Sequence, residues 1–372
     1  MSAFPLMPLV LFMLALVYAS VVTGWREAIS DPSDPGHLGD PEAPRLSLVV
    51  PARDEEDGIA ALLQDLHAQD YPRDRMEVLV VDDGSTDRTI TIVEGMMRSW
   101  PDLRLLRSDA PGKKAAITTG VNAATGDLIL LTDADVRCGP QRARTLAGHW
   151  LKERSDLIVL PVWTAGHGIL GRIQEDEQAA LLGMSMGTAS LAYGANLAFA
   201  RAAFHSVGGY QNDRFASGDD VFLLQRMKGA GKSITILFHA DAIVTAKAEP
   251  SLRTAILQRL RWAGKMRGVR GAMNLSGMLG LLLPWALLYQ TLTFNFREGM
   301  GQHALFTAAL LTGAWAVWML PVIGLVHAVR NRMQRPASSL GTCTSFVAFA
   351  CYAPIIAVTS LIVRPKWKGR NL

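Results

Sequence analysis

The stretch that decides the fold is Leu128-Ile129-Leu130-Leu131-Thr132-Asp133-Ala134-Asp135, an apolar run that passes directly into two alternating carboxylates. A short, continuous apolar run is typical of a parallel strand buried on both faces. Carboxylates gathered after such a strand are costly unless a cation neutralises them, and hard oxygen ligands favour Mg²⁺ or Mn²⁺ over zinc. We therefore expect a metal site at Asp133 and Asp135; the alternative is an acidic turn.

Three earlier apolar runs repeat this strand pattern, and helical patterns lie between them. Alternating strands and helices predict a doubly wound α/β sheet, which binds ligands at the carboxyl ends of its strands. No Gly-x-Gly-x-x-Gly follows the first strand, which disfavours a dehydrogenase. The predicted strands are Leu46 to Val50, Val78 to Val81 and Leu103 to Leu106, and the predicted helices are Ile59 to Ala68, Thr86 to Arg98 and Lys113 to Ala124.

Four long stretches of the chain contain no charged residue. The 372 residues are 49% hydrophobic and only 19% charged, against about 25% charged in typical soluble domains. Each stretch exceeds the roughly 20 apolar residues that cross a bilayer as a helix. They run from Met1 to Trp25, Gly271 to Phe296, Gly299 to Val329 and Pro336 to Val363.

This pattern predicts a soluble domain between membrane segments. We expect a transmembrane anchor at 1–25, a proline-rich linker at 26–45 and an α/β domain at 46–250. A juxtamembrane amphipathic helix at 251–270 and a transmembrane region at 271–372 follow. A signal peptide is the alternative for the first segment, but a basic n-region and a clear small-x-small cleavage site are missing there.

Basic residues gather beside the apolar segments, which argues against nucleic acid as the partner despite a net charge of +4. The positive-inside rule predicts a multi-pass protein of the cell (inner or plasma) membrane with its α/β domain in the cytoplasm. Three complete C-terminal crossings would put the basic tail outside, so we expect one segment to be re-entrant or interfacial, with the Pro354 segment as the candidate. The flanking residues are Arg253, Arg259, Arg261, Lys265, Arg267 and Arg270, then Arg330, Arg332 and Arg335.

Polar motifs follow the first two predicted strands. The first strand ends in Pro51-Ala52-Arg53-Asp54-Glu55-Glu56, and the second ends in Asp82-Asp83-Gly84-Ser85. A tight turn with a helix cap would explain the second motif. Two carboxylates at one strand tip exceed what a cap requires, however, and Asp83 could accept hydrogen bonds from the N–H groups of a base or the hydroxyls of a ribose.

Two further motifs stand at predicted helix starts. Lys113 and Lys114 enter a helix, where a lysine acts as a point charge for a diphosphate; a solvated lysine pair is the alternative. Asp219 and Asp220 begin a later amphipathic helix. Helix capping explains them equally well, but a carboxylate near a like charge has a raised pKa and is a plausible general base.

The last motif is Gln258-Arg259-Leu260-Arg261-Trp262, beside the second apolar stretch. Gln258, Arg261 and Trp262 share one helix face by their spacing. That face could bind a diphosphate or a sugar ring, or its basic and aromatic residues could contact lipid headgroups.

Taken in order, these motifs resemble the membrane-bound family 2 glycosyltransferases of GT-A fold with the D, D, D, Q-x-x-R-W signature. That branch includes ceramide glucosyltransferase, hyaluronan synthase and cellulose synthase. The resemblance spans about Leu46 to Trp262, and it implies a Rossmann-like nucleotide-diphospho-sugar transferase domain with transmembrane helices at both ends.

The resemblance also implies a role for each motif. The nucleotide-sugar would contact Pro51, Arg53, Glu55, Asp83, Lys113 and Asp133. The second carboxylate of the DxD motif, Asp135, would be the usual ligand of Mg²⁺ or Mn²⁺, while Asp133 would face the diphosphate or ribose. Asp220 matches the catalytic base, with Asp219 as its acidic neighbour. Gln258, Arg261 and Trp262 would hold the diphosphate and roof the acceptor site, with Gly194 and Asn196 beneath it.

Many members have Thr-Glu-Asp where this chain has Gly218-Asp219-Asp220, which leaves open which of the two aspartates is the base. The implied reaction is inverting transfer of a hexose or N-acetylhexosamine from a nucleotide-sugar, with UDP-sugars as the family default. We expect a lipid acceptor, because about four apolar segments are few for a polymer channel. The alternatives are a processive polysaccharide synthase and a non-catalytic nucleotide-binding membrane scaffold.

Overall fold

The structure is a computed structural model that describes residues 6–29, 35–36, 38–211, 218–266, 273–297, 302–363, 366–367 and 370–371. The described residues form two compact units. One unit comprises those within 32–165 and 188–248, and the other those within 1–31, 166–187 and 249–371. We name them the α/β unit and the helical unit. Residues 166–187 lie inside the predicted 46–250 domain but group with the apolar helices.

The α/β unit contains ten strands and six helices among its described residues. The strands are β1 Leu46–Ala52, β2 Met76–Asp82, β3 Leu103–Arg107, β4 Leu128–Thr132, β5 Arg137–Cys138, β6 Leu157–Val159, β7 Val162–Ala165, β8 Asn196–Ala200, β9 Ile234–Ile236 and β10 Val244–Lys247. The labels α1 and α6 belong to helices of the helical unit. The helices of the α/β unit are α2 Ile59–His67, α3 Thr89–Met97, α4 Lys113–Ala123, α5 Arg142–Glu153, α7 Arg201–Ser206 and α8 Asp219–Gly229. The predicted strand and helix order is confirmed.

A seven-stranded mixed sheet organises this unit, in the order β3-β2-β1-β4-β8-β6-β9. β1, β2, β3 and β4 are mutually parallel, with Ala52 paired to Asp82 and Val49 to Leu131. β8 runs antiparallel to β4 and sets Asn196 opposite Thr132. The carboxyl ends of the parallel strands therefore meet at one edge, where the polar motifs begin. A smaller sheet, β5-β10-β7, follows the Asp135 turn.

The parallel strands are buried because helices cover the sheet and their residues are apolar on both faces. Every residue of β4 is buried, and β1 contributes Leu46, Leu48 and Val50 to the core. From α2, Leu62 and Leu66 pack against the same core. Burial of such side chains supplies about 1.5–3 kcal/mol each, which fixes the strand ends that carry the motifs.

The helical unit contains α1 Leu6–Ala28, α6 Gly168–Thr188, α9 Leu252–Met266, α10 Met273–Arg297, α11 Gln302–Arg332 and α12 Ser339–Thr359. A two-stranded ribbon, β11 Lys366–Trp367 with β12 Arg370–Asn371, completes it. Ala15 of α1, Leu287 of α10 and Trp318 of α11 pack in a shared apolar cluster. α1, α10, α11 and α12 are the four described helices that are long and apolar enough to cross a membrane.

The last apolar helix is continuous through its proline. α12 spans 21 residues and includes Pro354 in its interior, and it qualifies by length and composition as a membrane span. Pro321 of α11 and Pro284 of α10 are likewise inside continuous helices. Neighbouring helices tolerate such prolines by re-satisfying the freed backbone groups. The re-entrant or interfacial segment expected at Pro354 stays a prediction.

Candidate active site

The two carboxylates predicted to bind a metal, Asp133 and Asp135, follow directly after the end of β4. The Oδ1 atom of Asp133 lies 2.7 Å from the Nζ atom of Lys113. Asp135, two residues on, is exposed, whereas Ala134 between them is buried in the core. Asp133 therefore contacts the start of the neighbouring helix α4, whereas Asp135 is open to a ligand.

Lys113 is the first residue of α4 and lies between two carboxylates. Its Nζ atom is also 3.1 Å from the Oδ2 atom of Asp219. Burial alone would lower the pKa of Lys113, but Asp133 and Asp219 together raise it above its ordinary value. Gly112 precedes the helix at a φ of 115°, a backbone conformation that favours glycine. A permanently charged lysine is thus held at the helix start.

The pKa of Asp133 is raised, first by burial and then by the nearby carboxylates of Asp135 and Asp219, while Lys113 opposes the shift. A site with three carboxylates and one ammonium carries excess negative charge. A cation or a cationic complex would relieve that charge.

Asp219 and Asp220 begin α8 but make different contacts. Asp219 is ion-paired with Lys113, whereas the Asp220 Oδ1 atom accepts from the Val221 amide at 2.8 Å. The Asp220 Oδ2 atom accepts from the Gly194 amide at 3.3 Å. Both aspartates are less than one-tenth exposed. The structure thus distinguishes two carboxylates that the sequence left equivalent.

Gly194 fits closely between these groups. A Cβ atom added there would lie 2.5 Å from the Asp219 Oδ2 atom and 3.0 Å from the Lys113 Nζ atom. Those distances are too short for any side chain without a shift of both charged groups. The structure therefore brings together Lys113, Asp133, Asp219, Asp220 and Gly194, five of the residues chosen from the sequence.

The donor set at Asp133 and Asp135 suits a hard divalent cation. Among the residues that the structure describes, no group of three or more His, Cys, Asp or Glu side chains has the geometry to enclose a metal ion. Mg²⁺ usually binds through one or two carboxylates together with substrate phosphates, not through a protein cage. Exposed Asp135 and half-buried Asp133 fit that mode, in which the nucleotide completes the coordination.

The loops after β1 and β2 are joined by reciprocal hydrogen bonds. The Asp54 Oδ1 atom accepts from the Thr86 amide at 2.7 Å, and the Asp54 amide donates to the Ser85 hydroxyl at 3.0 Å. Glu56 accepts from the Arg88 amide in the same way. These bonds use residues 86–88, which explains why α3 begins at Thr89 and not at the predicted Thr86.

Asp83 connects these loops to α4. Its carboxylate is almost fully buried and accepts from the Gly112 amide at 2.7 Å, while its own amide donates to Ala52. Asp82 closes the turn by accepting from Gly84 and Ser85. Asp83 therefore helps to set the start of the helix that carries Lys113.

Pro51, Arg53 and Glu55 lie along the same strand end. All three are half-buried, and the Glu55 amide donates to the Thr89 hydroxyl at 2.8 Å. Arg53 lies 3.6 Å from the neighbouring Asp54 carboxylate. Their side chains thus belong to the rim formed by the joined loops, and their contact with a nucleotide stays a prediction.

Asn196 lies behind the site, and its partner Arg142 was missed from the sequence. Asn196 is fully buried, donates to two backbone carbonyls and accepts from Arg142 at 2.7 Å. Arg142 also donates to the Thr132 hydroxyl at 2.9 Å. Burial lowers the pKa of Arg142. The pair therefore braces the end of β4 just before Asp133; an arginine inside a helical pattern gives no sequence signal of this role.

Gln258, Arg261 and Trp262 belong to α9 in the helical unit, and their predicted site role stays a prediction. The Gln258 amide group donates to the Glu249 carboxylate at 2.9 Å and accepts from Arg259 at 2.7 Å. The Arg259 guanidinium lies over the Trp262 ring at 5.1 Å. Arg259 thus joins two of the predicted residues.

Comparison with known proteins identifies the family of the chain. The family model described as Glycosyl transferase family 2 matches residues 47–204. The model described as Glycosyl transferase family group 2 matches residues 128–329, more than half of the chain. The chain belongs to the family 2 glycosyltransferases, and its sheet is that of a GT-A fold. Its four candidate spans indicate a membrane protein.

Relatives and solved structures support the family and the fold. The chain is 29% identical over 235 residues to a beta-monoglucosyldiacylglycerol synthase of Synechocystis, covering 59% of this chain and 47% of that protein. It is 34% identical over 146 residues to a dodecaprenyl-phosphate galacturonate synthase of Rhizobium johnstonii, covering 34% and 43%. The chain spans about half the length of the relatives it matches.

A mannosyltransferase of Pyrobaculum calidifontis, solved in complex with GDP-Man and Mn²⁺, shares the fold. Its TM-score is 0.57 at 23% identity, and the match covers 94% of this chain and 99% of that one.

Proposed function

We propose that this glycosyltransferase moves a hexose or N-acetylhexosamine from a nucleotide-sugar, with UDP-sugars as the first candidates, to a membrane lipid, with inversion at the anomeric carbon. The observation that carries the proposal is the placement of Lys113 between Asp133 and Asp219, at 2.7 and 3.1 Å, beside buried Asp220. An ammonium among carboxylates at the carboxyl edge of a sheet suits a diphosphate and a proton acceptor together.

In this proposal Asp220 is the general base and Asp219 a positioning residue. The Asp219 carboxylate holds the Lys113 ammonium, whereas the carboxylate of Asp220 contacts backbone amides. Asp220 would take the proton of the acceptor hydroxyl while that oxygen bonds to the anomeric carbon. The bond from this carbon to the diphosphate oxygen breaks, and its electron pair leaves with the diphosphate. Attack opposite the leaving group inverts the configuration.

Lys113 would bind the diphosphate and stabilise the negative charge that develops on it. Asp133 and Asp135 would hold Mg²⁺ or Mn²⁺, which when bound would supply further positive charge to the leaving group. Pro51, Arg53, Glu55 and Asp83 would line the nucleotide pocket. Gln258, Arg261 and Trp262 would hold the diphosphate and the acceptor, as the family signature implies, with Gly194 beneath the acceptor.

The proposed acceptor is a lipid. The names of the Synechocystis and Rhizobium relatives both include a lipid, a diacylglycerol and a dodecaprenyl phosphate. Four candidate membrane helices are also few for a channel that encloses a polymer. A processive polysaccharide synthase is the second candidate, supported by the Q-x-x-R-W residues that such synthases share.

We further propose that residues 46–250 catalyse in the cytoplasm and that 1–25 and 271–372 anchor them in the cell membrane. The arginines at the ends of α1 and α11 support this orientation by the positive-inside rule.

The test is transfer by the purified full chain in lipid nanodiscs. UDP-glucose, UDP-galactose, UDP-N-acetylglucosamine, UDP-galacturonate and GDP-mannose would be supplied in radiolabelled form, each with Mn²⁺, with Mg²⁺ and with EDTA. We expect label in the organic extract with one donor and loss of transfer in EDTA. Label found only in long polymer would contradict a lipid acceptor. Transfer at full rate in EDTA would contradict a requirement for a metal ion.

The Asp220→Asn variant separates an enzyme from a binding scaffold. We expect it to bind UDP with Mn²⁺ as the wild type does and to lose turnover. If Asp220→Asn transfers sugar at the normal rate, Asp220 is not the base. If wild-type protein binds UDP but transfers no sugar from any donor to lipid or polymer, the scaffold is the correct interpretation.

A further inference from the structure

Three consecutive acids on α6, Glu175, Asp176 and Glu177, make buried contacts that the reaction outlined above does not use. The helical unit pairs these acids with arginines from two other elements of the same unit, α9 and α11. Asp176 is fully buried, and Glu177 is less than one-tenth exposed. Carboxylates buried to this degree need partners, because an unpaired buried charge is strongly destabilising.

Glu177 pairs with Arg259 of α9. The Arg259 Nη2 and Nε atoms donate to the Glu177 Oε2 atom at 2.7 and 3.0 Å. The side chains of this pair are 8% and 9% exposed. A short, charge-assisted pair of bonds to one carboxylate fixes the orientation of the guanidinium plane.

The remaining donors of Arg259 reach the Q-x-x-R-W motif itself. The Arg259 Nη1 atom donates to the Gln258 Oε1 atom at 2.7 Å and to the Gln174 Oε1 atom at 3.3 Å. The guanidinium also lies over the Trp262 ring at 5.1 Å. One side chain thus holds an amide and an indole that are four residues apart.

The other end of the Gln258 amide is also fixed. Its Nε2 atom donates to the Glu249 carboxylate at 2.9 Å. Gln174 holds residue 249 in turn, because its amide donates to the Glu249 carbonyl at 3.0 Å and accepts from the Glu249 amide at 2.9 Å. A glutamine amide has two N–H donors and two acceptor lone pairs. Among the described contacts, one donor and one lone pair of Gln258 are used, so a ligand can still be bound.

Asp176 fastens the same helix to the apolar helices. The Arg330 Nη2 atom donates to the Asp176 Oδ1 atom at 2.6 Å, and the Ser345 hydroxyl donates to its Oδ2 atom at 2.8 Å. Arg330 lies on α11 and Ser345 on α12. α6 therefore carries adjacent acids, one of which contacts the membrane helices and the other the motif helix.

We infer that Glu177 and Arg259 are positioning residues that set Gln258 and Trp262 for sugar transfer, with α6 as the rigid support. The inference rests on the proposed binding role of the Q-x-x-R-W residues. A guanidinium tied to a buried carboxylate leaves Gln258 one orientation, and preorganised groups of this kind lower the cost of binding a transition state. Displacing such a group by about 1 Å lowers the rate of the reaction about a hundredfold.

The test compares Glu177→Gln with Ser345→Ala in full-length protein in nanodiscs. Each variant removes one contact of an adjacent α6 acid. With the donor turned over fastest in the five-sugar screen, Glu177→Gln is expected to lose about tenfold to a hundredfold in kcat/KM. Ser345→Ala is expected to lower Tm and to leave kcat/KM unchanged. Unchanged kcat and KM in Glu177→Gln would overturn the inference.

A double variant excludes a purely structural effect. If Glu177 acts through Gln258 and Trp262, then Glu177→Gln combined with Gln258→Ala loses less activity than the product of the two single losses, whereas independent effects would multiply. If Glu177→Gln fails to fold, Arg259→Lys is used as the test variant in its place. Lysine keeps the charge but lacks the planar fork, so we expect a folded protein with reduced kcat/KM. Loss of the fold in both variants would make the pair an element of stability only and overturn the positioning role.

Failure of the inference can be told apart from failure of the proposed function. If wild-type chain transfers sugar and Asp220→Asn does not, the function stands whatever Glu177→Gln does. If wild-type chain transfers no sugar, binding of UDP with Mn²⁺ is compared in wild type and Glu177→Gln by calorimetry. Equal affinity there would count against the positioning role.

Discussion

Each unit of the protein holds a cation between two carboxylates, and the two arrangements differ in their exposure. In the α/β unit Lys113 bridges Asp133 and Asp219, with side chains 23%, 32% and 10% exposed. In the helical unit Arg330 bridges Glu175 and Asp176, with Arg330 4% and Asp176 0% exposed. Arg330 also donates to the Pro336 carbonyl at 2.9 Å.

The chemistry of the two cations matches this difference. The planar guanidinium of Arg330 distributes its donors over fixed partners, which suits a buried structural pair. The ammonium of Lys113 is a point charge that can exchange one carboxylate for a phosphate. We infer that solvent access and a single mobile charge mark the functional cluster, whereas a buried cation with its donors distributed over fixed partners marks the structural one.

Among the variants that test this comparison, we expect the largest effect on the rate of catalysis, from loss of the Lys113 charge. Lys113→Ala removes the charge that faces the proposed diphosphate, and kcat/KM should fall by about a hundredfold to a thousandfold. The neighbouring Lys114→Ala is the matched control with a smaller loss, because the Lys114 ammonium lies over the rings of Tyr210 and Phe222. Steady-state kinetics and thermal unfolding would be measured together. A large loss of Tm with normal kinetics would make Lys113 the equivalent of Arg330.

The second effect is on stability. Arg330→Met removes the closest charge partner of buried Asp176 and leaves only the Arg172 guanidinium, 3.9 Å away. The free energy of unfolding should fall by about 3–5 kcal/mol. The double variant Asp176→Leu with Arg330→Met removes both charges and should regain most of that stability. Thermal unfolding in nanodiscs provides the measurement. A single variant as stable as wild type would show that this pair contributes little.

A third experiment sharpens the comparison within the α/β unit. Gly194→Ala would push its Cβ atom against the Asp219 carboxylate and the Lys113 ammonium. These are side-chain ends that can move, so unfolding should change little, but kcat/KM should fall about tenfold as the charges are displaced. Gly95→Ala on α3 is the control, because nothing lies within 4 Å of its added Cβ. Equal activity of both variants would contradict close packing at Gly194.

The smallest effect concerns the joined loops and depends on pH. Hydrogen bonds from the Thr86 amide lower the pKa of Asp54, so its charged form stabilises the fold above the ordinary carboxyl range and this contribution disappears as pH falls through the lowered pKa. Asp54→Asn should therefore cost about 1 kcal/mol at pH 7. The gap from wild type should close in acid, as followed by denaturant unfolding. A gap that is constant with pH would rule out a contribution of the charge.

The sequence predicted the sheet and most of the residues that lie together in the candidate site, because both depend on local pattern. Continuous apolar runs marked β1 to β4, and the parallel order brought their polar ends to one edge. The start of α3 was predicted three residues early, since the bond from Thr86 to Asp54 joins residues 32 positions apart. Asn196 was expected beneath the acceptor, yet its amide is buried against Arg142.

The basic residues beside the apolar segments also have partners that the sequence did not predict. Charge counting assigned Arg259 and Arg330 to the membrane surface, but both are buried in ion pairs with α6. Their partners lie 82 and 154 residues away in the chain. A run of three acids in one helix gives no sign of which arginines will neutralise it.

The sequence itself predicted a cation site at the carboxylates after Leu131, because acids gathered after a buried strand are costly unless they are neutralised. Tertiary structure alone decided how those acids are neutralised. It placed Lys113 between Asp133 and Asp219, gave Asp220 its backbone donors and left no space for a side chain at Gly194 unless the charged groups move. The physical reason is that hydrophobic pattern is read along the chain, whereas a charge is satisfied by whatever residue the fold brings within about 3 Å.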